Sequence, residues 1–218
     1  MRRDLLIAGA GGLAKEAAQL ARRIDPTGER WSHIRYVTSS ACELGMILPF
    51  GQVELLEEQL LSRDVEADVV IGAGYPEIRR RIAGNLLVNS ALSFPNLVHP
   101  TLEIDPRLVR LGQGNMITQG TVMTCDIEIG DFNLFNWNCT VGHDARIGSF
   151  NVINPGASVS GRVTLGDACL LGTGARILEM LDISSDTVIG AGAVVTRSIA
   201  NPGVYVGVPA RLLEDRAT

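Results

Sequence analysis

Taking every sixth residue from Leu111 gives Leu111, Ile117, Met123, Ile129, Phe135, Val141, Ile147, Ile153, Val159, Leu165, Leu171, Ile177, Ile183, Ile189 and Val195, an unbroken column of apolar side chains. With 46% of the chain apolar, a run of this length in a given phase arises by chance with odds on the order of one in 10⁵. Glycine often follows the column residue, as at Gly112, Gly130, Gly142, Gly148, Gly166, Gly172 and Gly190, and the residue two before it is usually small or apolar, as at Ala145, Ala157, Ala175 and Ala193. A period of eighteen overlies the six: IGDFNLFN from Ile129 recurs as IGSFNVIN from Ile147. Three short strands and three turns per eighteen residues describe a triangular coil, with one apolar side chain per side pointing inward and small residues at the corners. The repeat makes five coils, stacked at about 4.8 Å each into a prism roughly 24 Å long. The 24 glycines and 5% aromatic content suit so many tight turns.

The preceding residues have a different rhythm. LLIAGA, from Leu5, reads as a buried parallel strand; a Gly turn follows, then GLAKEAAQLARRI, in which Leu13, Ala17, Leu20, Ala21 and Ile24 share a helical face. A strand near Ile34 to Thr38, an acidic helix QVELLEEQLL, a strand DVVIGAG and a helix opening at Pro76 continue the alternation. This predicts a small α/β domain over residues 1–95, with ligands at the carboxyl ends of its strands, and a repeat domain over 96–218.

Composition excludes some partners. The formal net charge is −5 and no basic run tracks a phosphate backbone, so nucleic acid is not an expected partner. Asp4 interrupts the apolar opening, and no segment approaches membrane-spanning length, so neither a signal peptide nor membrane insertion is expected. Cys42, Cys125, Cys139 and Cys169 show no metal-ligand spacing. They read as reduced packing residues of a cytoplasmic protein, with no metal expected.

The repeat does not account for His143. Counted from Val141 it takes the third place of its hexad, where side chains point away from the prism; elsewhere that place holds Gln113, Asp131, Trp137, Ser149, Asp167, Thr173 and Arg197. A surface turn is the ordinary reading of such a histidine. An exposed imidazole titrates near neutrality, however, and takes a proton from a nucleophile attacking a thioester. Asp144 could stabilise the protonated ring if a turn brings the two together. The outward Trp137, one hexad earlier, is expected near a subunit contact.

The strings NCTVGHDARIG, NPGASVSGRVTLGD, GTGARI, VIGAGAVVTRSI and VGVPAR closely resemble the sugar acyltransferases of the sialic-acid O-acetyltransferase and bacillosamine N-acetyltransferase group, within the hexapeptide-repeat superfamily. GAGGLAKE, VIGAGYPEIRRRI and FPNLVHPT resemble the first domain of that group. The resemblance implies a small Rossmann-like parallel sheet followed by a left-handed parallel β-helix, an exception to right-handed crossovers. It implies an acetyl-CoA-dependent enzyme that is a homotrimer, with His143 as general base, Asp144 assisting, and acetyl-CoA in clefts between neighbouring prisms. Contacts to acetyl-CoA are implied at Val152, Gly161, Thr173 and Ala191. The nucleotide of the acceptor is implied at Gly11, Gly12 and Leu13, at Thr38 and Ser39, and at Gly72. Two departures bear on that nucleotide: Leu13-Ala14 replaces the His or Phe and Gly of many relatives, and YVTSSA lacks their acidic residues after the second strand. A third, ILEMLDISSD, has Leu178 and Ser184 where Gly is usual, which the coil is expected to tolerate.

The expected function is acetylation of the amino group of a nucleotide-linked amino sugar for surface glycans. The alternatives are O-acetylation of a sialic acid or another sugar, and a non-catalytic scaffold that binds nucleotide-sugars. A dinucleotide reading of GAGGLAKE lacks its acidic residue, since Thr38 and Ser39 stand where it would fall. His99 reads as a packing residue and His33 as surface; Arg197 and Arg211 are either CoA-phosphate ligands or ordinary surface arginines.

Overall fold

The computed structural model describes residues 2–62 and 65–213, in two compact units. One runs through Pro100 and takes in Gln113–Met116; the other holds Thr101–Gly112 and the chain from Ile117. Residues 1, 63, 64 and 214–218, within the expected domains 1–95 and 96–218, lie outside the described residues.

In the first unit, β1 (Arg3–Ala8), α1 (Gly12–Ile24), β2 (Trp31–Thr38), β3 (Ile47–Leu48), β4 (Gly51–Leu56), β5 (Ala67–Ile71), α2 (Pro76–Leu86) and β6 (Leu92–Ser93) follow in order. The sheet runs β3-β4-β2-β1-β5-β6. It is parallel except for β3, which returns antiparallel on β4. Leu5, Leu6, Ile7 and Ala8 of β1 are all buried, as a central strand covered on both faces requires. α1 buries Ala14, Ala17, Ala18, Leu20 and Ala21, small side chains that let its axis approach the sheet. Asp25 closes this helix, and its carboxylate accepts the N–H groups of Glu29, Arg30 and Trp31 at 2.8, 3.1 and 3.0 Å. Burial pushes the Asp25 carboxyl up, but the N–H groups of Trp31, Glu29, Arg30 and Gly28 outweigh it and hold the group below its ordinary value.

One expected element is corrected. QVELLEEQLL is not a helix: its first half lies in β4, paired with Tyr36, Val37 and Thr38 of β2, and a 3₁₀ turn, Glu57–Leu61, follows. Fully buried Val53 pairs with Tyr36, so the sheet partner overrides the helical preference of the acidic run.

In the second unit the hexads are two- or three-residue strands on three faces of a left-handed parallel β-helix. The first face stacks Val122–Met123, Thr140–Val141, Ser158–Val159, Arg176–Ile177 and Val194–Val195. The second stacks Val109–Leu111, Ile127–Ile129, Arg146–Ile147, Thr164–Leu165 and Asp182–Ile183. The third includes Leu134–Phe135, Val152–Ile153, Leu170–Leu171 and Thr187–Ile189. Pairing joins residues eighteen apart, as in Val141 with Val159, Ile147 with Leu165 and Ile153 with Leu171. The apolar column is buried apart from Leu111 and Met123, which are half-buried. ILEMLDISSD keeps the register, Ile177 pairing with Val195 and Leu165 with Ile183.

In the hexads from Leu111 through Ile189 the fourth residue turns the corner in the left-handed backbone region, with φ of 58° at Asp144, 58° at Arg162, 56° at Phe132 and 58° at Asn138. Asp and Asn tolerate this conformation, whereas Phe and Arg are held there by the coil. Phe132 and Phe150 recover some of the cost by stacking, with centroids 5.7 Å apart.

Candidate active site

His143 sits where the first face turns into the second. Val141 anchors the strand before it and Ile147 the strand after, both buried, so the imidazole is presented outward from a rigid coil. The left-handed turn at Asp144 answers whether the neighbours meet: His143 Nδ1 lies 2.7 Å from Asp144 Oδ2. With Nδ1–H donating to the carboxylate, Nε2 keeps its lone pair and is the basic site of the ring. The His143 hydrogen bond is the main influence holding the Asp144 carboxyl below its ordinary value; desolvation opposes it, and charge on His143 and then Arg162 adds to it.

The ring is also defined from the next coil. Gly161 lies eighteen residues after His143, and a Cβ on Gly161 would stand 2.8 Å from His143 Nε2 and 2.9 Å from Cε1. The imidazole therefore occupies the space a side chain at 161 would fill. Among the described residues, the Gly161 N–H has no hydrogen-bond acceptor, and Gly161 borders the His143 imidazole.

The prism edges differ in this respect. Between the second and third faces, the equivalent N–H groups are sealed from the coil above: Asp131 N–H donates to Ser149 Oγ, Ser149 N–H to Asp167 Oδ1 and Asp167 N–H to Ser185 Oγ, at 3.0, 2.7 and 2.9 Å. On the edge between the third and first faces, Thr173 and Ala191 stack and their N–H groups have no acceptor among the described residues. Val152 is different, because its side chain is buried and its N–H donates to the Cys169 carbonyl at 2.9 Å. The four residues expected to contact acetyl-CoA are thus not brought together in one chain. Gly161 accompanies His143 on one edge of the first face, and Thr173 and Ala191 lie on the other edge of that face. Trp137, on that second edge, is half-buried.

In the first unit, Gly11, Gly12, Leu13 and Gly72 gather at the carboxyl ends of β1 and β5, where the sheet order changes direction. Gly11 caps α1 without a side-chain bond, and nothing stands within 4 Å of a Cβ added at Gly11 or Gly12, so the helix N-terminus is open. At Gly72 a Cβ would come within 2.7 Å of Ala14, and glycine is what allows α1 to approach β5. Arg79, fully buried, steadies this loop by donating Nη1 to the carbonyls of Ile71 and Ala73 at 3.0 and 2.9 Å; burial lowers its guanidinium to about 9. Ser39 is exposed. Thr38 is buried, its hydroxyl donating to the Glu43 carboxylate and accepting Ser40 N–H at 3.0 Å. Glu43 was missed in the sequence: a carboxylate does reach the end of β2, supplied by a 3₁₀ turn, Ala41–Glu43, and not by the residues that directly follow the strand. Thr38, a residue whose hydroxyl favours a local turn, is the signal that could have found it.

His99 is buried with Nε2 3.1 Å from Arg23 Nη1, and His33 is an exposed partner of Asp4 at 3.1 Å. Arg197 and Arg211 are exposed. Among the described residues, no cluster of His, Cys, Asp or Glu could hold a metal ion, and no helix is long and apolar enough to cross a membrane.

No protein-family model matches the chain, and no curated protein matches it. Solved structures do match over nearly its whole length. The acetyltransferase domain of PglB from Neisseria gonorrhoeae, in complex with acetyl coenzyme A, superposes with a TM-score of 0.87 at 29% identity, covering 98% of this chain and 100% of that one. A perosamine N-acetyltransferase from Caulobacter crescentus with one histidine replaced by asparagine, in complex with CoA and GDP-perosamine, gives 0.86 at 27% identity, with 97% of each chain covered. WeeI from Acinetobacter baumannii gives 0.83 at 27% identity, covering 96% of this chain and 99% of that one. The α/β unit, the left-handed coil and the outward His–Asp pair agree with these similarities, and over nearly its whole length the chain is similar to sugar acetyltransferases of the hexapeptide-repeat family.

Proposed function

We propose that this chain transfers the acetyl group of acetyl-CoA to the amino group of a nucleotide-linked amino sugar used for surface glycans. The observation that carries the reading is the His143–Asp144 pair beside the open Gly161 N–H. The acceptor amine, in its unprotonated form, attacks the thioester carbonyl; a C–N bond forms as His143 Nε2 takes the proton from nitrogen. Asp144 stabilises the imidazolium, and the Gly161 N–H donates to the oxyanion. Collapse of the tetrahedral intermediate breaks the C–S bond, and the imidazolium returns its proton to the thiolate, releasing CoA. The similarity to a perosamine N-acetyltransferase favours nitrogen over oxygen as the acceptor.

On the first unit, the open N-terminus of α1 at Gly11, Gly12 and Leu13 is suited to a diphosphate. Ser39 and Glu43 lie where ribose or base donors would be read, and Gly72 borders the crevice. Acetyl-CoA engages Gly161 in one chain and Thr173 and Ala191 in a neighbour, because these residues lie on opposite edges of the first face; the working unit is then a homotrimer. The free cysteines agree with a reducing, cytoplasmic setting.

Thiol release from acetyl-CoA against a panel of UDP-, GDP- and CMP-linked sugars, with the mass of the product, tests the reading. An amino sugar is expected to stimulate release, and His143→Ala to lower the rate by at least about 10²-fold. Full activity in His143→Ala, or no stimulation by any sugar, refutes it. Sedimentation as a monomer at working concentration refutes the shared cleft.

A further inference from the structure

Arg162 takes the same place in its coil that Asp144 takes in the coil before, and its N–H donates to the His143 carbonyl at 2.8 Å. Both residues turn in the left-handed region with φ of 58°, so their side chains leave the same edge one coil apart. Arg162 Nε lies 3.8 Å from Asp144 Oδ2, the oxygen that accepts the Nδ1–H of His143. The guanidinium has no other partner among the described residues. We propose that Arg162 is a positioning residue for His143, acting through the carboxylate oxygen that it shares with Nδ1.

The proposal rests on His143 being the base. A carboxylate at 2.7 Å favours the imidazolium, yet only the neutral ring can accept a proton. A cation 3.8 Å from the same oxygen offsets that preference and draws the carboxylate into one orientation. The other groups around the ring do not duplicate this effect. The coil before presents Cys125 and Asp126 at the equivalent places, and Asp126 is an acid; the coil after presents Gly161 and Arg162; the coil beyond presents Glu179 and Met180. Among these, Arg162 is the cation.

The two spans to Oδ2 limit the Nε to Nδ1 separation to about 6.5 Å. Two unit charges at that distance in water-like surroundings shift a titration by about half a pH unit at low ionic strength. Salt at about 1 M removes most of that. Arg162→Met should therefore move the acid limb of the kcat/KM profile to higher pH by about half a unit at low salt, and Arg162→Lys should restore most of it. In an Asp144→Asn background the Arg162→Met shift should shrink, because the shared oxygen has lost its charge. NMR titration of the His143 imidazole in the same variants reads the effect without turnover. An acid limb and imidazole midpoint unchanged within about 0.1 unit in Arg162→Met would overturn the proposal, as would a shift equally large in Arg162→Lys. If the imidazole midpoint moves as expected while His143→Ala stays active, the proposed function fails and the coupling stands.

Discussion

Gly161→Ala isolates the position of the His143 ring from the other features of the proposed site. The backbone at Gly161 is not in the left-handed region, so alanine fits its conformation without strain. The added methyl, however, would stand 2.8 Å from His143 Nε2, 2.9 Å from Cε1 and 3.2 Å from Cδ2. An ordinary carbon contact needs about 3.5 Å, so the ring must retreat by roughly 0.7 Å or leave its rotamer. A shift of that size misaligns the Nδ1–H bond to Asp144 and carries Nε2 away from the nucleophile. Misplacement by 1 Å costs about 10²-fold in rate, which predicts a fall in kcat/KM of about 10- to 10²-fold. Stability should change by less than about 1 kcal/mol, because the exposed ring can swing into solvent. The substitution keeps the N–H at 161, so a loss cannot be assigned to the oxyanion donor. The assay is acetyl-CoA thiol release with a responsive amino sugar, alongside thermal melts, in Gly161→Ala, His143→Ala and the double variant. If the methyl acts through the ring, it adds no further loss in the His143→Ala background. A folded Gly161→Ala protein with activity within twofold of the parent would refute the reasoning.

Three further outcomes follow from other parts of the molecule. Burial, and then the charge of Arg23, lower the titration of His99, so the folded state favours the neutral ring. Its contribution to stability is complete above the unfolded value of about 6.5 and is lost as pH falls through the lower folded value; melting temperatures across that range should slope less in His99→Gln than in the parent, and equal slopes would count against the effect. Asp25→Ala leaves the N–H groups of Glu29, Arg30 and Trp31 without their acceptor and should cost about 1–3 kcal/mol in a urea titration; an unchanged midpoint would contradict it. Burial pushes the Cys139 thiol up to about 12 and the Cys169 thiol up to about 11, whereas Cys42 is exposed; a thiol reagent should label Cys42 in the native protein and the two buried thiols only on unfolding.

The coil was legible because a period of six leaves a residue-by-residue record. Each turn of the prism repeats the same steric demand, and Val141, Ile147 and Ile153 answer it in the same way on three different faces. The first unit depends on pairing between distant segments, which leaves a weaker local trace. β1, α1 and α2 were readable from burial on both faces, from a small-residue stripe and from Pro76. QVELLEEQLL was not, since its conformation is set by pairing with β2 and not by its own composition.

At the site, the histidine was legible as an exception to the repeat, and its chemical surroundings were only partly so. The contact with Asp144 depends on φ at one residue, and the left-handed corner that provides it becomes visible only when the hexads from Leu111 through Ile189 are seen to turn at their fourth positions. The open N–H groups are less visible still, because a backbone donor has no letter of its own. Their pattern is nevertheless encoded: Ser149, Asp167 and Ser185 place a side-chain acceptor over the N–H of the coil below, and Gly161, Thr173 and Ala191 occupy edges where no such acceptor falls. The short side chains of Ser149, Asp167 and Ser185 at the third place of their hexads thus seal one edge of the prism. At Gly161 the missing side chain gives the imidazole its seat, and Glu179, eighteen residues later, places no acceptor on the amide beside it among the described residues.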